Sequence, residues 1–391
     1  MRKKNFKTIL KLVDLKHIII IFGKKKLKGK NILSKTFNHR LNVALTYNVK
    51  PESEAFYADL SPNQTDGTTQ IERAIDTFAE WDTRETINAL EAALKVFHDV
   101  ELIEATDEAF IKLKESKPDI VFNIAEGLNG ISRESQIPAM LDMLNIPYTG
   151  SDALTLGICL DKSRAKEILT YHRIPNAKFF VIDKYQTLSN HALKFPLIIK
   201  PVSEGSSKGI FGSSLVKNYD KLNAELERVI NEYKQPALIE EYLPGREFTV
   251  AVIGNDDEAR ILPIIEIRYD EFPDDVEHLY SYEAKWILDT KESDFNVFDC
   301  PANIDRELEK QIKEIALKTY KVLRCKDWSR IDIRLDKNNV PNIIEVNPLP
   351  GIMPDPNENS SFPKAARAAG LDYNQMIQTV LHAAAKRYNL S

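Results

Sequence analysis

At 391 residues, with 28% charged side chains and a net charge of -5, the chain reads as a soluble globular protein long enough for two or three domains. The slight acidity argues against general nucleic-acid affinity, and no apolar run reaches the ~18 residues of a membrane-spanning helix. Cys159, Cys300 and Cys325 are scattered and odd in number, which gives neither a disulfide framework nor a zinc pattern and fits a reducing, cytoplasmic compartment.

Residues 1–40 are crowded with Lys and Arg around a short apolar run, His17–Phe22, and hold a single acid, Asp14. They read either as a solvated basic extension or as a weak anchor to an anionic surface. The next segment, 41–155, alternates strands with helices and so predicts a parallel sheet. Its strands are placed at 41–47, 100–103 and 119–124, and its helices behind Asp82 and Glu85, which make a plausible capping box, at 108–115 and at 135–144. The polar loop Glu126–Glu134 falls at the carboxyl end of a strand, where open α/β sheets bind ligands.

From 156 to 240 the pattern changes. Asp161-Lys162-Ser163 opens a helix whose first turn favours an anion. A strand ends on Lys200, and Ser203-Glu-Gly-Ser-Ser-Lys-Gly209 follows as a flexible loop able to close over phosphates. Another strand carries Glu240 at its end. From 241 to 391 come strands at 248–253 and 261–267, an aromatic loop Tyr280–Trp286 with Lys285 in it, and an amphipathic helix over 306–323.

The stretch Ser329–Asn347 reads as a hairpin. Arg330, Asp332 and Arg334 alternate with Ile331, Ile333 and Leu335, turn residues follow, and a second strand carries Glu345 and Asn347 on one face. Asp332, Glu345 and Asn347 would then form an all-oxygen set suited to Mg²⁺, unless the hairpin simply turns its charges to water. A proline-rich irregular loop over 348–363 and two helices close the chain.

Taken together, Asn145–Ser151, Leu160–Arg164, Ile199–Gly209, Leu238–Leu243 with Glu247–Val250, Tyr282–Lys285, Arg324–Trp328 with Arg330–Ile333, Glu345–Asn347 and Ala365–Gly370 occur in an order that resembles the D-alanine–D-alanine ligase family. The resemblance implies an ATP-grasp fold of the α/β (α+β) class, with an N-terminal parallel α/β domain and two grasp subdomains. It implies a cytoplasmic, ATP-dependent ligase that turns a carboxylate into an acyl phosphate and passes it to an amine, with ATP and two Mg²⁺ (or Mn²⁺) as cofactors. Small molecules would be its partners, in a homodimer without nucleic acid or membrane insertion.

By the same resemblance Lys162 and Lys200 hold ATP phosphates; Glu240, Tyr242 and Leu243 line the adenine site; Glu247 takes the ribose. Ser206, Ser207 and Gly209 lie in the closing loop, and Lys285 lies beside the nucleotide. Asp332, Glu345 and Asn347 carry the metal ions. Arg330 steadies the tetrahedral intermediate, with Gly351 near the substrate, and Ser360 stands where the family holds the second substrate's carboxylate.

Three features depart from that family. The turn after the first strand has no glycine, which leaves Glu52 or Glu54 to replace a glutamate that grips the first substrate's amine. Ala125–Glu134 replaces a His-Gly…Glu-Asp-Gly segment, which brings Glu134 forward as a substrate contact. Trp286 stands where a tyrosine follows Glu-Ala-Lys, and indole neither accepts a hydrogen bond nor ionises. The expected enzyme therefore joins substrates that differ from two D-alanines: an L-amino acid, a γ-carboxyl donor or a carrier-bound group. The alternatives are a housekeeping D-alanine–D-alanine ligase and a nucleotide-binding regulatory protein.

Overall fold

The computed structural model describes residues 39–51, 76–273, 276–289, 297–358 and 360–391. The expected basic extension lies, but for its last two residues, outside the described residues, and so do Glu52 and Glu54.

A parallel β-α-β-α-β run comes first. It comprises β1 (Asn42–Tyr47), α1 (Arg84–Lys95), β2 (Asp99–Glu104), α2 (Ala109–Ser116) and β3 (Ile120–Asn123), and the strands lie side by side as β2-β1-β3. All four residues of β3 and the last five of β1 are buried, as expected of parallel strands covered by helices. The cap of α1 is Thr83, whose hydroxyl accepts from Thr86 N; Asp82, expected in that role, is left to face a cleft.

Next come α3 (Gln136–Leu144), α4 (Ala153–Leu160) and α5 (Lys162–Tyr171). The helix α4 has no amphipathic period to announce it, since its residues are apolar nearly all round. Asp161 caps α5 by accepting from Ser163 N and Arg164 N. That helix end is thus already satisfied by a carboxylate, and the expected anion site there is not open.

A four-stranded antiparallel sheet follows, in the order β4-β7-β5-β6, from β4 (Phe179–Ile182), β5 (Leu197–Pro201), β6 (Leu215–Val216) and β7 (Ala237–Glu241). The helix α6 (Tyr219–Tyr233) covers it with Leu222, Leu226 and Val229.

The largest sheet is antiparallel and runs β11-β10-β8-β12-β13, with β9 against β8. Its strands are β8 (Glu247–Ile253), β9 (Arg260–Ile261), β10 (Ile265–Ile267), β11 (Phe298–Asp299), β12 (Trp328–Leu335) and β13 (Pro341–Asn347). The single strand expected over 261–267 is two short ones, β9 and β10. The stretch expected as an aromatic loop contains a π-helical turn, Ala284–Leu288. The helix α7 (Arg306–Val322) packs Ile312, Ala316 and Tyr320 onto this sheet, and α8 (Ser361–Ala368) and α9 (Tyr373–Arg387) end the chain. Trp328 is fully buried, with its ring edge-on to Phe122 of β3 at 5.5 Å and to Phe362 of α8 at 5.6 Å, so one side chain ties the first and last sheets together. Among the described residues no helix is long and apolar enough to cross a membrane.

Candidate functional site

The hairpin β12–β13 sets the chemistry. Its register places Asp332 directly opposite Glu345 and Arg330 opposite Asn347, so the polar side chains share one face. Directly paired antiparallel residues have Cβ atoms about 5 Å apart, which brings the two carboxylates side by side. A register shift between Asp332 and Ile333 lets Ile343 and Val346 both enter the core, while Ile344 turns to the cleft.

Both oxygens of Asp332 and one of Glu345 have a polar neighbour. Arg330 Nη2 lies 3.0 Å from Asp332 Oδ2, Thr249 Oγ1 donates to Asp332 Oδ1 at 2.7 Å, and Asn347 Nδ2 donates to Asp332 Oδ2 at 3.2 Å. Lys162 Nζ sits 2.7 Å from Glu345 Oε1. Burial works against the charge on Glu345, but Lys162 and Lys200 outweigh it and hold its carboxyl below the usual range. Two adjacent carboxyl groups and an amide oxygen at the edge of a cleft fit a hard divalent cation.

Behind them lies a second charged group. Lys200 Nζ is 2.6 Å from Glu240 Oε1, and Lys166 Nζ is 2.9 Å from Glu240 Oε2; all three side chains are buried. Burial would raise the Glu240 carboxyl, yet the two ammonium groups bring it down to about 2. Lys166 was not anticipated. Its place at i+4 from Lys162, on the same side of α5, was the available signal.

The loop 203–209 is fastened from three sides. Gly205 N donates to Glu80 Oε1 at 2.6 Å and Gly209 N to Asp76 Oδ2 at 2.7 Å. Arg133 Nη1 donates to Ser203 O at 2.8 Å and Nη2 to Glu80 Oε2 at 2.7 Å. Trp286 Nε1 donates to Ser206 O at 3.1 Å, and Ser207 Oγ to Tyr280 O at 2.8 Å. Ser206, Ser207 and Gly209 have positive φ of 51°, 60° and 77°, so the loop turns sharply, while the amides of Gly205, Lys208 and Gly209 are taken by Glu80, Gly205 O and Asp76. Asp76 and Glu80 were missed because their partners, Gly209, Gly205 and Arg133, lie far along the chain.

The resulting cleft has two chambers. The outer one, about 180 Å³, is lined by Lys200, Glu240, Leu243, Glu247, Ser206 and Ser207, and beyond them by Lys285, Trp286, Arg330, Asp332, Glu345 and Ser360. The inner one, about 80 Å³, holds Glu126, Glu134, Asn347 and Gly351 and shares Lys285, Arg330 and Glu345. A Cβ on Gly351 would meet nothing within 4 Å, so this backbone stands open to the chamber. Burial, then Arg330, pushes the Lys285 ammonium down to about 7.

Some expected contacts fall elsewhere. The Tyr242 hydroxyl accepts from Arg334 at 2.7 Å and donates to His278 O at 2.9 Å, outside the chamber lining. Glu247 pairs with Arg334 at 2.8 Å and accepts from Tyr269 at 2.7 Å. Gly209 serves through its conformation, its amide being taken by Asp76. Ser360 Oγ accepts from Met353 N at 3.1 Å and donates to Gly351 O at 3.2 Å, so it braces the loop as well as facing the cleft. Trp286 lies beneath Lys50 Nζ, 4.4 Å from the ring centroid, with Lys285 Nζ at 5.1 Å.

Comparison with known proteins agrees with this architecture. Residues 168–382 match the family described as D-ala D-ala ligase C-terminus. An uncharacterised protein y4sG of Sinorhizobium fredii is 34% identical over 269 residues, 69% of this chain and 75% of that one. The D-alanine–D-alanine ligase of Haemophilus ducreyi is 32% identical over 295 residues, 74% of this chain and 89% of that one. The crystal structure of the D-alanine–D-alanine ligase of Bacillus anthracis complexed with ATP superimposes with a TM-score of 0.62 at 24% identity, covering 89% of this chain and 99% of that one. The fold is thus the α+β ATP-grasp fold. With the matched sequence spanning more than half of its length, the chain belongs to the D-alanine–D-alanine ligase family of ATP-dependent carboxylate–amine ligases.

Proposed function

We propose that the cleft binds ATP in its outer chamber, activates a carboxylate as an acyl phosphate and transfers the acyl group to an amine, forming a dipeptide or similar conjugate. The observation that carries this reading is the gathering of Asp332, Glu345, Lys200 and Arg330 around one cavity, with the buried Lys162 paired to Glu345. On this reading residues 41–155 form the domain that precedes the grasp, and 156–240 and 241–391 form its two jaws.

Asp332, Glu345 and Asn347 would hold Mg²⁺, which when bound supplies positive charge to the triphosphate. Lys162 and Lys200 add fixed charge to the same phosphates. The side-chain carboxylates beside both lysines show that this wall already balances charge of both signs. Ser206 and Ser207, on the sharply turned loop, face the phosphates and keep water from the acyl phosphate. When the amine attacks, Arg330 stands ready to stabilise the oxygen on which negative charge develops. Association into homodimers and residence in the cytoplasm belong to the same proposal; the three free cysteines fit the latter.

The purified chain with ATP, Mg²⁺ and a panel of D- and L-amino acids tests it, read by phosphate release and by the mass of the product. Amine-dependent phosphate release that chelation of the metal abolishes is the expected result. Tight ATP binding without turnover for any pair would overturn it in favour of a nucleotide-binding regulator. Formation of D-alanyl-D-alanine with no better pair would identify the housekeeping activity and remove the altered-substrate reading.

The loop yields a prediction of its own. A Cβ at Gly209 would lie 2.4 Å from Pro201 Cγ and 2.7 Å from its Cδ, on a backbone with φ of +77°. Gly209→Ala must therefore shift the loop, at about 1–2 kcal/mol from the backbone alone. The KM for ATP is expected to rise about tenfold, while the thermal midpoint falls by only a few degrees.

A further inference from the structure

The inner chamber carries negative charge that the protein does not balance. Carboxylate oxygens of Glu80, Glu126 and Glu134 all lie within 4.8 Å of one another. They come from three places: the segment before α1, the loop after β3, and the turn Arg133–Ser135 that leads into α3. Glu80 is spoken for by Arg133 and Gly205 N. Arg133 also lies 3.2 Å from Glu204, which Lys208 reaches at 3.0 Å. Arg133 and Lys208 are therefore already engaged, and Lys285, which lines the same chamber, forms no ion pair with Glu126 or Glu134.

Glu126 and Glu134 are different. Among the described residues neither has an ion pair, and no N–H donor reaches either carboxyl. Glu134 is only 7% exposed and lines the chamber, and the closest polar partner of its carboxyl is that of Glu126. Two carboxyls in such contact share a proton when nothing else is bound. Burial pushes the Glu134 carboxyl up to about 7 against the pull of Arg133, and burial with Glu134 beside it pushes Glu126 well above the ordinary range. Asp82 lines the same chamber and is raised to about 7 by burial, despite Lys50. A buried carboxylate without a cation or donor is costly, so an arrangement of this kind is stable in its ionised form only with a cationic ligand.

The same chamber is lined by Arg330, Asn347 and Gly351, where the acyl group would be transferred. A ligand on the carboxyl pair thus reaches the reacting centre. An ammonium that takes the place of the shared proton leaves one negative charge on the pair, which a second ammonium on the same ligand offsets. We propose that the carboxylate substrate bears two positively charged nitrogens, as in a short-chain diamino acid, with its side-chain ammonium seated between Glu126 and Glu134. This rests on the ligase reading above and adds to it the class of the activated substrate. The volume of about 80 Å³ favours a short side chain over an extended one.

Phosphate release by the full chain with ATP and Mg²⁺ is compared for 2,4-diaminobutyrate and norvaline, its neutral isostere, in both configurations. Excess alanine serves as the amine, and product mass shows which carboxylate was activated. The wild type is expected to prefer 2,4-diaminobutyrate by about tenfold or more in kcat/KM. In Glu126→Gln/Glu134→Gln the preference is expected to shrink to about twofold, with single variants in between and the KM for ATP, which reports a folded outer chamber, little changed. Equal or better use of norvaline overturns the inference while leaving the ligase reading intact, and so does a double variant that keeps the preference. Loss in the double variant of a Mn²⁺ site seen by its paramagnetic effect, with the preference unmoved, would assign the pair to a metal ion instead and overturn it too. Absence of turnover with every pair removes the ligase reading and this inference together.

Discussion

Arg330→Ala is expected to lower kcat by about 10²–10³, the loss typical of removing one donor to a developing oxyanion. Arg330 sits in the first strand of the hairpin with its side chain 18% exposed, and its guanidinium faces both chambers. Its partner Asp332 keeps two other contacts, Thr249 at 2.7 Å and Asn347 at 3.2 Å, so the hairpin should survive the change. The defect should thus appear in kcat, with a smaller change in the KM for ATP and none in the cooperativity of unfolding. Lysine restores the charge without the planar pair of donors, so Arg330→Lys should recover only part of the rate. Steady-state phosphate release at saturating substrates is the measurement. Equal kcat in wild type and Arg330→Ala would remove Arg330 from the chemistry.

Glu240→Gln should cost about 3–5 kcal/mol of stability, because it leaves two buried ammonium groups facing a neutral amide. Lys200 keeps part of its compensation, since Glu345 and Glu247 also favour its charge, and its ammonium stays above the usual range although burial opposes it. Lys166 is pushed down by burial and has Glu240 as its carboxylate partner. Adding Lys166→Met should therefore recover a good part of the loss. Urea midpoints at constant slope would show both effects.

The same carboxylate sets a pH dependence. Its folded value of about 2 lies below the ordinary 4.5, so its contribution is fully present above pH 4.5 and is lost as pH falls from there towards 2. Glu240→Gln should flatten that part of the stability profile.

The hairpin was legible because period-two alternation and turn chemistry are local signals. The alternation put Asp332, Glu345 and Asn347 on one face without knowledge of any contact. What it could not show was the register shift at Ile333, which turns Ile344 outward, because a bulge depends on how two strands meet. The cap of α1 was misplaced by one residue, since Asp82 and Thr83 are equally good caps in isolation; packing gave Thr83 the helix and Asp82 the cleft. The helix α4 went unread because a helix buried on most sides carries no period. Lys166, Asp76 and Glu80 were missed for another reason: their partners lie tens to more than a hundred residues away in sequence. Trp286 and Glu134 were noticed only as departures from a pattern, and their neighbours became visible in three dimensions.

The hold of Asp76 and Glu80 on Gly209 and Gly205 bears on how this protein can be taken apart. The stretch matched by the family description, 168–382, contains the loop but neither carboxylate. An excised catalytic module or a chimera cut at that boundary would leave both amides bare and Arg133 missing from the other side. A transplantable unit has to begin upstream of 76, so what counts as modular in sequence is not modular in covalent design.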